Sequence, residues 1–70
     1  MEFVVCINNK DYPVDLQLHK IYRVISENEL PDFIRILDES GEDYLYPIDY
    51  FAHIQVPEQV KKSFTELQAV

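Results

Sequence analysis

Seventy residues, 47% hydrophobic and 13% aromatic, make one domain that is too apolar for a disordered chain and needs nearly every large apolar side chain in its core. Thirteen acidic residues against six basic ones leave a net charge of −7, a field that repels phosphate backbones and anionic lipid and favours basic partners. The single cysteine, Cys6, excludes an intrachain disulfide and points to a reducing compartment. The opening MEFVVCINN has no basic region before its short apolar run, and no run approaches a membrane span, so a soluble, cytoplasmic protein is expected.

Taken in chain order, Phe3-Val4-Val5-Cys6-Ile7 is apolar and rich in β-branched residues, and predicts a first strand almost at residue 1. Asn8, Asn9, Lys10 and Asp11 are turn formers, opening a loop through Tyr12 and Pro13 to Asp15. In DLQLHKIYRVI, Leu16 and Leu18 alternate with polar residues, and Ile21, Tyr22, Val24 and Ile25 predict a second strand. SENELPD is a polar connector whose Pro31 blocks strand pairing at its end.

A hairpin is expected next, with Phe33 to Leu37 on one arm and Tyr44 to Tyr46 on the other. Its tip, Glu39-Ser40-Gly41-Glu42, holds the only glycine of the chain, at a position where a hairpin bend calls for φ > 0. Pro47-Ile48-Asp49-Tyr50 predicts a single 3₁₀ turn before a last strand, Ala52 to Val56. The tail VPEQVKKSFTELQAV is the one helical stretch. Pro57 suits its first position, Glu58 suits the positive end of the helix dipole, and Val60, Phe64 and Leu67 share one face.

This order of features resembles a Src-homology-3 type barrel. The residues that carry the likeness are Asp15-Leu16-Gln17-Leu18, where that family has an acidic residue and a leucine leading into a long-looped strand, and Gly41, which stands six residues before Pro47. Pro47 opens a 3₁₀ turn containing Tyr50, followed by Phe51 where the family usually has valine. The likeness covers about Phe3 to Val56. It implies an all-β, five-stranded SH3-like barrel over residues 1–56, with residues 57–70 as a helix appended to the same single domain. The chain also resembles a group of short uncharacterised bacterial proteins that share the pattern GK-x-Y-x-V … DESGEDYLYP, with HKIYRV standing here for the first part. That second likeness brings no known activity.

Departures from the barrel family bear on function. Its proline-peptide groove uses two tyrosines after the first strand and a tryptophan. This chain has Ile7-Asn8-Asn9 at the first place and no tryptophan. Three groove positions carry over from the resemblance: Asp15 as the acid that pairs with a ligand arginine, Pro47 and Tyr50. Polyproline docking packs a preformed helix between aromatic ridges, so ordinary Pro-x-x-Pro binding is not expected.

The candidate site is instead aromatic and acidic. Tyr44 and Tyr46 share one face of their strand and Leu45 the other, so with Leu45 inward both tyrosines face outward beside Pro47. Tyr12, Tyr46, Pro47 and Tyr50, flanked by Asp15, then form a rigid amphipathic surface suited to a protein partner with basic or extended segments. The competing reading is that these tyrosines only roof the barrel ends.

The four carboxylates of Asp38-Glu39-Ser40-Gly41-Glu42-Asp43 form too short a segment for an EF-hand type calcium loop and read as a solvated hairpin tip. Cys6, His19 and His53 lie at no metal-site spacing, and Cys6 sits in an apolar strand as a small hydrophobe. No catalytic residue, metal or cofactor is expected. A nucleic-acid-binding barrel using Lys20, Arg23 and Arg35 is the alternative, opposed by the net charge. The sequence reading is therefore a non-catalytic interaction module or small accessory subunit, monomeric or dimerised through its helix.

Overall fold

The computed structural model describes the backbone of residues 2–68 and the side chains of residues 2–64. The strands are β1 (Phe3–Cys6), β2 (Ile21–Ser26), β3 (Phe33–Leu37), β4 (Asp43–Pro47) and β5 (Phe51–Ile54). A 3₁₀ turn, Ile48–Tyr50, lies before β5, and a helix, α1 (Glu58–Gln68), follows β5. The strands form one sheet in the spatial order β4-β3-β2-β1-β5, each neighbouring pair antiparallel. Among the described residues its edges, β4 and β5, are not paired with each other, so the sheet is open.

β2 joins the two halves of the sheet. Ile21 to Arg23 pair with β1, after which the register shifts between Val24 and Ser26 as the strand turns to β3. Such an irregularity bends and twists a strand, which lets the sheet curl around one core. That core holds Val4, Cys6, Leu16, Tyr22, Ile34, Ile36, Tyr46 and Phe51. Phe3 is buried as well, on the opposite face of β1, where its ring centroid is 4.7 Å from that of Phe64 on α1. The helix thus covers β1 through Phe64, with Val60 half-buried beside it. The Leu67 side chain of the expected apolar face lies outside the described residues.

Several sequence expectations shift by a residue or two. β1 ends at Cys6 because the Ile7 N–H donates to the Tyr50 carbonyl at 2.8 Å instead of continuing the ladder. The last strand starts one residue early and stops at Ile54. Pro57 stands just ahead of α1, where its carbonyl accepts from the N–H groups of Val60 and Lys61. Leu16 does not belong to a strand. It sits fully buried in the long loop before β2, while Leu18 is half exposed.

One expectation is reversed. Ile34 and Ile36 point inward with Arg35 between them, and the register sets Ile34 opposite Tyr46 and Ile36 opposite Tyr44. The inward face of β4 therefore carries the tyrosines, and Leu45 looks out. Tyr46 is 1% exposed and Tyr44, nearer the strand end, 56%.

The hairpin tip conforms to expectation. Gly41 has φ +83°, and its N–H donates to the Asp38 carbonyl at 3.0 Å. A β-carbon built there meets no atom within 4 Å, so only backbone strain penalises a side chain. Gly41→Ala is expected to lower stability by about 1–2 kcal/mol in urea unfolding, and Gly41→Asn by less, because asparagine tolerates the left-handed region. Equal stability of all three proteins would contradict this.

Candidate functional site

The loop between β1 and β2 folds back over the end of the sheet and brings the aromatic residues together. Its internal bonds fix its course: the Leu16 N–H donates to the Tyr12 carbonyl at 3.0 Å, and the Asn9 side-chain amide donates to the Leu16 carbonyl at 2.9 Å. Buried Leu16 anchors the loop to the core. The Glu39 N–H donates to the Asp15 carbonyl at 3.1 Å, which ties the same loop to the β3–β4 hairpin tip.

Tyr46 is the hub. Its ring meets Tyr12 edge to face with centroids 4.9 Å apart, and Tyr44 at 5.3 Å. Tyr12 in turn reaches Tyr50 at 6.0 Å. The Tyr46 hydroxyl donates to Asp38 Oδ2 at 2.6 Å, while Asp38 Oδ1 accepts from the N–H and hydroxyl of Ser40. A buried phenol needs such a partner, and here the partner is the residue that starts the turn. The Tyr50 hydroxyl donates to Asp11 Oδ2 at 2.6 Å, which holds that ring against the loop.

Around these rings lies a groove of about 300 Å³. Tyr12, Tyr44 and Tyr46 supply its aromatic walls and floor, and Asp15, Asp38, Glu42 and Asp43 supply carboxylates. Burial raises the Asp38 carboxyl, but the hydrogen bonds from Ser40 and Tyr46 outweigh it and hold Asp38 below the usual aspartate range. Burial, then the Asp38 carboxylate, push the Tyr46 phenol far up. The hydrogen bond to Asp11, then burial, raise the Tyr50 phenol. Asp43 shares Arg35, whose Nη1 is 3.2 Å away. Among the described residues, no basic side chain lies within ion-pair distance of Asp15 or Glu42. The groove joins π faces with uncompensated negative charge, a combination that attracts cations.

Of the five residues expected at a docking surface, the structure brings together Tyr12, Asp15, Tyr46 and Tyr50. Tyr46 is a floor with almost no exposed area, contrary to the outward orientation expected for it. Pro47 pairs with Phe33 in the sheet, half-buried, and neither it nor Tyr50, whose ring meets that of Tyr12, lines the groove. Tyr44 and Asp38 were not among the expected site residues. The alternation that puts Tyr44 on the same face as Tyr46 was visible in the sequence, and the inward direction of that face was not.

The other candidates are placed as follows. Lys20 Nζ is 2.8 Å from Glu39 Oε1, and Arg35 Nε is 2.8 Å from Glu29 Oε2. Both cations are thus engaged by carboxylates, while Arg23 is half-buried in β2 and lines one pocket with Lys20. Cys6 is fully buried and its Sγ donates to the Asn8 carbonyl at 3.3 Å. Burial pushes its thiol up, away from the thiolate that nucleophilic chemistry needs. No helix among the described residues is long and apolar enough to cross a membrane. Compared with known proteins, the chain matches no family model, no curated protein and no solved structure.

Proposed function

We propose that this chain is a non-catalytic, cytoplasmic protein-interaction module on an SH3-like barrel frame, whose acidic aromatic groove receives a basic side chain from an extended segment of a partner. The observation that carries the reading is the groove itself, with Tyr12, Tyr44 and Tyr46 around a cleft that also holds Asp15, Asp38, Glu42 and Asp43. The five strands and the 3₁₀ turn ahead of β5 support the frame, since the resemblance implies both.

The chemistry favours arginine as the inserted residue. A planar guanidinium stacks on a tyrosine face and pairs with a carboxylate at once, whereas an ammonium does only one of these well. A cation over an exposed ring contributes about 0.5–1 kcal/mol, and an exposed ion pair up to about 1 kcal/mol. One side chain alone therefore binds weakly, and an extended segment running on past Tyr12 towards Tyr50 supplies the remaining contact. Such a module forms transient complexes that weaken with salt.

An arginine-bearing extended peptide, titrated into the labelled protein and followed by amide chemical shifts, tests this. Shifts are expected at Tyr12, Asp15, Glu42 and Tyr44, fading as salt rises. Asp15→Asn combined with Tyr44→Ala is expected to weaken binding about tenfold, corresponding to about 1.4 kcal/mol. Equal affinity of the peptide for wild type and double variant would sink the assignment of the groove.

A further inference from the structure

A second convergence of side chains lies away from the groove. Glu2 precedes β1, Glu27 follows β2 and His53 belongs to β5. The sheet brings them together: Val4 is opposite His53, and the Val24 N–H donates to the Glu2 carbonyl at 2.9 Å, aligning the end of β2 with the start of β1. One ligand atom from each of the Glu2 carboxylate, the Glu27 carboxylate and the His53 imidazole lies within 4.8 Å of the other two. Glu27 Oε1 also contacts His53 Nε2 directly. The group opens on a cavity of about 620 Å³ walled by Phe3, Ile54, Val56 and Lys61, with Glu2 and His53 themselves on its lining.

We propose that Glu2, Glu27 and His53 form a divalent-cation site of the zinc class. Two carboxylate charges at this separation repel each other, and more strongly beside the apolar wall of Phe3 and Ile54. A neutral imidazole has one N–H and can donate to only one of the two carboxylates. A dication coordinates both carboxylates and the ring nitrogen together, and so removes the repulsion. One imidazole nitrogen and two carboxylate oxygens suit zinc, which takes such donors at about 2.0–2.2 Å in a tetrahedron. Calcium and magnesium call for six or more oxygen donors, which an imidazole does not supply. Three protein ligands leave a fourth position for water or for a donor from a partner. Lys61 also lines the cavity.

The site is distinct from the aromatic groove, so the two readings stand or fall separately. The test is a zinc titration of the untagged full chain, followed by calorimetry and by the His53 ring resonances. One zinc per chain is expected, with His53 resonances shifting and those of His19 unmoved. His53→Gln and Glu27→Gln are each expected to weaken binding at least about tenfold, and His19→Ala to leave it unchanged. Zinc should also raise the melting temperature of the wild type but not of His53→Gln, since a ligand that binds only the folded state stabilises it by mass action. Binding that survives both His53→Gln and Glu27→Gln, or no saturable binding by the wild type, would overturn the proposal. Circular dichroism of each variant without zinc separates loss of the site from loss of the fold.

Discussion

Tyr46→Ala is expected to cost a large share of the protein's stability, whereas Tyr46→Phe costs less. The Tyr46 ring is 1% exposed and touches Tyr12, Tyr44 and Phe51, with centroids 4.9, 5.3 and 6.3 Å away. Truncating an aromatic side chain in a core costs about 3–5 kcal/mol. A domain of this size has roughly 4–10 kcal/mol in total, so the loss takes most of the margin. The alanine also strips Asp38 of the phenol that holds it and releases Tyr12 from its contact. The loop over the groove and the hairpin tip lose their common support.

Tyr46→Phe removes only the hydroxyl, which donates to Asp38 Oδ2 at 2.6 Å, and a hydrogen bond to a charged group contributes about 1.5–3 kcal/mol. This variant carries a signature in acid. The folded protein holds Asp38 below its ordinary value, so its contribution to stability is present above the unfolded pKa and is lost as pH falls through the folded one. Without the phenol that acid-sensitive part shrinks, and the gap between wild type and Tyr46→Phe should narrow as pH falls. Urea unfolding at neutral and at acid pH measures both effects. Tyr44→Ala, at a residue 56% exposed on the same face, serves as control and is expected to cost no more than about 1 kcal/mol. Wild-type stability in Tyr46→Ala would contradict the placement of this ring.

The contrast between Tyr44 and Tyr46 also shows which parts of the fold were legible in the sequence. Strand runs such as FVVC and FIRIL declare themselves by β-branched and apolar content, and the lone glycine marks the hairpin bend. Leu45 misleads because it is the most apolar residue of DYLYP. Which face of β4 turns inward is set by register against Ile34 and Ile36, a property of the pair of strands and not of either one. Leu16 misleads in another way. Its alternation with Leu18 has the period of a strand, yet its backbone is held in a loop by Tyr12 and Asn9, and the neighbouring Gln17 N–H donates to the Tyr22 hydroxyl at 2.8 Å.

The candidate groove was half legible. Tyr12 and Asp15 follow from turn chemistry and from the resemblance, while the depth of Tyr46 and the inclusion of Tyr44 needed the register. The Glu2, Glu27 and His53 group was not legible at all. Its members are far apart in the chain, no local spacing joins them, and only the pairing of β1 with both β2 and β5 brings them to one place.

The same buried tyrosines lead to the second large effect: above pH about 10 the protein is expected to unfold cooperatively, with Tyr22 and Tyr46 ionising only as it does so. Burial, partly offset by the hydrogen bond from the Gln17 N–H and reinforced by the nearby Glu39 carboxylate, pushes the Tyr22 phenol up to about 12. Tyr46 is pushed further, first by burial and then by the Asp38 carboxylate that accepts its O–H. In the unfolded chain both return to about 10. A folded pKa raised in this way stabilises the fold fully below the unfolded value, and the stabilisation is lost as pH rises through the folded one. For Tyr22 the window runs from the ordinary phenol value of 10.0 to about 12. Two pH units correspond to roughly 3 kcal/mol, and the raised Tyr46 phenol adds to that loss, which is a large share of the stability of a domain this small. Tyrosinate absorbance and far-ultraviolet circular dichroism, recorded on one alkaline titration, check this. The part of the absorbance that belongs to Tyr22 and Tyr46 should rise together with the loss of strand signal. The double variant Tyr22→Phe, Tyr46→Phe should lose that coincident phase, though it starts from lower stability. Complete tyrosine ionisation near pH 10 with the strand signal intact would show that neither phenol is buried as described.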